Sequence, residues 1–125
     1  MWKRLLLVTA VSAAMSSMAM AAPLTVGFSQ VVSDSGWRAA ETNVSKSEAE
    51  KRGITLKIAD GQQKQENQIK AVRSFIAQGV DAIFIGPVVA TGWEPVLKEA
   101  KEAEIPVFLL DRSIDVKDKS LYMTT

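Results

Sequence analysis

The chain has 125 residues, 47% hydrophobic and 23% charged, which is room for one modest globular domain and excludes a disordered, collagenous or multi-pass chain. Lys and Arg number 15 against 14 Asp and Glu; setting aside Lys3 and Arg4 near the start tips the balance slightly acidic, so no basic field for nucleic acid remains. His and Cys are absent, and with them go thiol nucleophiles, disulfide frameworks, imidazole or thiolate metal sites and His-dependent serine triads.

Lys3 and Arg4 precede an apolar run from Leu5 to Ala14, and Ala19-Met20-Ala21 is the small-x-small pattern of a signal-peptide cleavage site. Residues 1–21 are therefore expected to be a cleaved signal peptide and residues 22–125 the exported domain. The apolar run is about ten residues, half of the roughly 20 needed to cross a bilayer.

In the remainder, Leu24 to Ser29 alternates around Val26 and Phe28 and predicts a first strand. A helix is expected from Trp37 to Arg52, with Ala40, Val44 and Ala49 inward and Gly53 just past its end. Ile54 to Ala59 alternates as a second strand, and Ile69, Val72 and Ile76 recur at helical spacing until Gly79. Ala82-Ile-Phe-Ile85 is apolar without alternation, as expected of a strand covered on both faces. Thr91-Gly-Trp-Glu94 reads as a capping box opening a third helix, with Pro95 in its first turn and Trp93, Val96, Leu97, Ala100 and Ala103 inward. Val107 to Leu110 is a fourth strand whose edge is expected to lie open, and Leu121 to Thr124 begins a fifth. Strands alternating with helices at this spacing predict an α/β fold with a parallel, doubly wound sheet. The chain stops without a helix to cover its last strand, so it is expected to be part of a larger lobe.

Ligands of open parallel sheets collect beyond the carboxyl ends of the strands, which directs attention to Ser33–Arg38, Asp60–Gln63, Gly86–Val89 and Asp111–Ser113. Trp37 and Arg38 combine a ring face with a planar fork of donors, suited to a polyhydroxylated ligand; the plainer reading is a core cap and a solvated charge. Asp111 and Arg112 set an acceptor-only carboxylate beside a donor-only guanidinium, which together satisfy hydroxyl groups in both senses; the plainer reading is a rim ion pair. Trp93 reads as helix packing and Gly86-Pro87 as a strand-ending turn. No Gly-x-Gly-x-x-Gly or phosphate-binding loop follows any strand, and no metal or cofactor is expected.

Lys51-Arg-Gly-Ile, Gln78-Gly-Val-Asp-Ala-Ile, Gly86-Pro87 and Ile105-Pro-Val-Phe-Leu-Leu-Asp-Arg112, behind a signal peptide, together resemble the periplasmic sugar-binding proteins of the ribose/galactose type that feed ABC importers. The resemblance implies a type 1 periplasmic binding fold, of which this chain supplies part of the N-terminal lobe. It also implies a monosaccharide ligand, galactofuranose first, an ABC importer permease as partner, a periplasmic location and a monomeric receptor without enzymatic activity. The family's contacts then fall on Asp34, Ser35, Gly36, Trp37 and Arg38 after the first strand, and on Asp111 and Arg112 after the fourth. Val32 and Asp34 stand where the family pattern has Gly and Glu, and Gly86 where it has Ala. Sugar-responsive repressors share the same core, but they begin with a helix-turn-helix instead of an apolar leader; a hydrolase or flavodoxin-like enzyme lacks a visible base or phosphate cradle here. A truncated, inactive fragment, or a receptor for ribose or another pentose or hexose, is the remaining alternative.

Overall fold

The computed structural model describes residues 22–125; the expected signal peptide lies outside the described residues. The elements run β1 (Thr25–Gln30), α1 (Gly36–Lys51), β2 (Thr55–Asp60), α2 (Gln65–Gln78), β3 (Ala82–Ile85), α3 (Glu94–Glu102), β4 (Val107–Leu109), a 3-10 turn (Lys119–Leu121) and β5 (Met123–Thr124). All pairings are parallel, in the order β2-β1-β3-β4-β5. The α/β, parallel-sheet expectation is met. Gly53 and Gly79 follow α1 and α2 in the left-handed conformation, with φ of 66° and 67°, which only glycine adopts without strain.

Register decides which residues share a face. Gly27 lies level with Ile83, and Ile83 with Val107, so this set points one way and the set of Val26, Phe28 and Phe84 the other. The first face is packed beneath α2 and α3, where Ile83, Ile85, Val107 and Leu109 join Val72, Phe75, Val96 and Leu97 in one core. Trp93 is completely buried among them and donates its Nε1–H to the Val89 carbonyl at 2.7 Å, so it is helix packing, as expected. The Phe75 ring lies so close to β1 that a Cβ on Gly27 would overlap it.

The second face is only partly covered, which corrects the reading of β3 as buried on both sides. α1 packs against β2, leaving Phe84 and Phe108 half-buried and in edge-to-face contact at 5.3 Å. Across α1 itself Ala49 is buried as expected, but Ala40 and Val44 are exposed, and Arg38 and Thr42 take the inner positions. The capping box before α3 does not form: Trp93 is the N-cap residue, with no side-chain cap, and Pro95 sits in the first turn. Ala103 is exposed at the helix end. β4 is not an edge, because Phe108 pairs with Met123 of β5.

The end of β2 ties down the loop that follows β1. The Asp60 carboxylate accepts the hydroxyl and the N–H of Ser33 and, at 2.8 Å, the N–H of Gln62. The Gly61 and Gln63 N–H groups meet the Gln30 and Val31 carbonyls at 2.8 and 2.9 Å, so the two loops are bonded to each other through both backbone and side chain.

Two outcomes follow from this packing. Gly27→Ala should cost about 1–3 kcal/mol in chemical denaturation, the usual penalty of overpacking a tight core; an unchanged midpoint would mean that Phe75 does not lie on β1. The Ser33 hydroxyl foremost, with the Gln62 and Ser33 N–H groups, holds the Asp60 carboxyl below its ordinary range. A lowered folded-state value gives stability that is fully present above the unfolded value near ~3.9 and is lost as pH falls through the folded value. Asp60→Asn should therefore reduce the acid sensitivity of unfolding below about pH 4, and an Asp60 midpoint in the ordinary range, read by NMR titration, would refute the tie.

Candidate functional site

β1 lies between β2 and β3, so the chain leaves its carboxyl end toward β2 while β3 ends on the other side. This is the switch point at which parallel sheets open a crevice. Gln30 closes β1 in phase with Val26 and Phe28, and it is completely buried. Its Oε1 accepts the Val31 N–H at 2.9 Å, which turns its Nε2 toward Glu41 Oε2 at 2.8 Å and Thr42 Oγ1 at 3.3 Å. From the other face of the sheet comes Gln68 of α2, also fully buried. Its Nε2 donates to the Gly86 carbonyl at 2.6 Å and its Oε1 accepts the Val88 N–H at 3.0 Å, fixing the turn that ends β3.

Arg38 is the centre of the arrangement. It enters on the first turn of α1 and is only 7% exposed. A guanidinium taken this far out of water needs charged partners, and it has two: Nη1 donates to Glu41 Oε2 at 3.1 Å and Nη2 to Asp111 Oδ2 at 2.9 Å. Its Cζ also lies 4.8 Å from the Trp37 ring centroid, a cation–π distance. Trp37 itself is 60% exposed, so it is not a core cap. A Cβ on Gly86 would sit 3.3 Å from Gln30 Oε1 and 3.4 Å from Arg38 Nη1, so glycine at this position leaves the guanidinium its space.

Asp111 follows β4 with a left-handed φ of 69°, an uncommon conformation that Asp tolerates better than most residues. Arg112 is exposed, 3.9 Å from the Asp111 carboxylate, and reaches the Val88 carbonyl at 3.4 Å. Four of the seven residues singled out from sequence, Trp37, Arg38, Asp111 and Arg112, are thus linked in one chain of contacts between the first turn of α1 and the segment after β4. Asp34, Ser35 and Gly36 lie exposed beside them on the loop entering α1; Ser35 is the helix N-cap by backbone only.

Gln30, Glu41 and Gln68 escape the sequence reading. The one signal for Gln30 is its position in the inward phase of β1; Glu41 and Gln68 look like solvated helix charges and amides. Chemically the rim offers a ring face, two guanidinium groups and a carboxylate, which is equipment for hydroxyl recognition. Among the described residues every buried side-chain nitrogen and oxygen has a partner, and no cluster of acidic side chains could hold a metal ion.

Known proteins resemble this chain in both sequence and fold. The chain is 93% identical over its whole length to the galactofuranose-binding protein of Escherichia coli (strain K12), and spans 39% of that protein. It is 41% identical over 95 residues to the fructose import binding protein of Bifidobacterium longum (strain NCC 2705), covering 75% of this chain and 29% of that one. A solved galactofuranose-binding protein superposes with a TM-score of 0.80 at 93% identity, over 82% of this chain and 35% of that one. The arabinose ABC transporter's periplasmic binding protein from Shewanella sp. ANA-3, solved with α- and β-L-arabinofuranose, matches with a TM-score of 0.77 at 66% identity, over 81% of this chain and 34% of that one. The periplasmic binding protein domain model matches residues 26–125, nearly everything that the structure describes, and the chain belongs to that family.

Proposed function

We propose that the chain forms part of the N-terminal lobe of a periplasmic substrate-binding component of an ABC sugar importer, with galactofuranose as its ligand. The observation that carries this reading is the buried Arg38, held between Trp37 and Asp111 at the β1/β3 switch point, in a chain 93% identical to a galactofuranose-binding protein. Residues 1–21 are the export signal, and the protein acts in the periplasm as a monomer that binds and releases its ligand without turnover.

The sugar's C–H face packs on Trp37, its ring and hydroxyl oxygens accept from Arg38 and Arg112, and its hydroxyl protons go to Asp111. Asp34 and the Ser35-Gly36 segment border the same opening. A carboxylate that only accepts and a guanidinium that only donates leave no ambiguity in hydroxyl orientation, which is how a small polar ligand is held in one pose. A single open lobe cannot bury most of a sugar. The chain spans 39% of the Escherichia coli relative; the opposing contacts come from a second lobe that closes on the ligand before docking on the permease.

Calorimetry on the exported full-length protein tests the reading. Galactofuranose should give saturable heat and ribose or fructose far less. Arg38→Ala should weaken affinity by ~10–100-fold, the value of a hydrogen bond to a charged group, and Trp37→Ala by about tenfold. Lys98→Ala, on the exposed flank of α3, should leave it unchanged. Clear heat with ribose and none with galactofuranose would overturn the ligand assignment.

A further inference from the structure

Arg38 has two carboxylate partners of different kinds. Asp111 is 40% exposed at its side chain, whereas Glu41 is 16% exposed and lies one turn along α1 from Arg38. Behind Glu41 stands Gln30, whose amide orientation is fixed because the Val31 N–H must meet its Oε1. Gln30 Nε2 and Arg38 Nη1 converge on the same Glu41 oxygen, at 2.8 and 3.1 Å. A hydrogen-bonded chain therefore runs from the Val31 backbone, just past β1, to the guanidinium without passing through the open rim.

The asymmetry has a physical consequence. A ligand hydroxyl that donates to Asp111 competes with Arg38 for the same carboxylate. If Asp111 were the sole partner, binding would loosen the guanidinium at the moment it is needed. An anchored Glu41 prevents this, because it holds one edge of the fork through Nη1 while the other edge, which meets Asp111 through Nη2, can exchange between Asp111 and ligand.

We infer that Glu41, oriented by Gln30, is a positioning residue that presets the Arg38 guanidinium for the ligand without touching it. This rests on the reading of Arg38 as a ligand contact. Glu41→Gln keeps the side-chain length, removes the charge and places an amide against the guanidinium. On the exported full-length protein it should weaken galactofuranose binding at least tenfold, and Glu41→Asp, which restores the charge on a shorter stem, should recover part of the loss. A ligand-free measurement stands beside the binding one: the Arg38 guanidinium N–H signals in NMR should show slow rotation in the unmodified protein and fast rotation in Glu41→Gln, with Trp93 reporting an unchanged core. Unaltered affinity in Glu41→Gln, or Arg38 signals that do not respond to it, would overturn the inference. No heat with galactofuranose in the unmodified protein would remove the ligand reading alone, and the Arg38 signals would still decide the positioning role.

Discussion

The first strand of the chain does not lie at an edge of the sheet. β1 is flanked by β2 on one side and β3 on the other, and the rest of the molecule follows from that placement. The connections leaving β1 and β3 diverge, and the Val31 N–H, Gly86 carbonyl and Val88 N–H just past the two strands leave the ladder. They are satisfied by long polar side chains instead. Gln68 reaches in from α2 to serve the Gly86 carbonyl and Val88 N–H, and Gln30 folds back on the Val31 N–H. With the two glutamines in place the ends of β1 and β3 are rigid, and a rigid floor is what allows a buried arginine to be held in one orientation above it.

Much of this was legible in the residues, and the exceptions have a common cause. Ala82 to Ile85 is a strand with the bounds its composition implies, and Gly79 ends α2 where the apolar rhythm stops. α1 misleads because its buried stripe is polar near the site. Arg38, Thr42 and Ala49 face inward, so a search for apolar spacing settles on Ala40 and Val44, which the helix turns outward. Gln68 shares the inner stripe of α2 with Val72 and Phe75 for the same reason. Hydrophobic periodicity finds what is buried to escape water, and it passes over what is buried to satisfy backbone. The two loops that carry Trp37, Arg38, Asp111 and Arg112 were identifiable from topology and residue type together; the connection between Arg38 and Asp111, 73 positions apart, exists only in the folded chain.

The conformation of Asp111 shows what the contact with Arg38 asks of the backbone. A left-handed backbone costs a residue with a Cβ about 1–2 kcal/mol, and glycine would relieve it. The carboxylate that glycine would delete is the partner of Arg38 and the acceptor at the rim. Gly86 nearby is under milder pressure: a Cβ there would press on Gln30 Oε1 and Arg38 Nη1 at 3.3 and 3.4 Å, a contact that small shifts of those side chains relieve. Asp111 carries backbone strain and keeps its carboxylate against Arg38.

The two tryptophans in the described residues occupy opposite environments. Trp93 is sealed in the core at 0% exposure, while Trp37 is 60% exposed with a guanidinium against its face. Indole emission shifts to the blue when water is excluded and is altered by an adjacent cation, so the two side chains divide the indole fluorescence of residues 22–125 between them. One reports whether the core is closed; the other reports the Arg38 guanidinium and the water around it, without any label having to be attached.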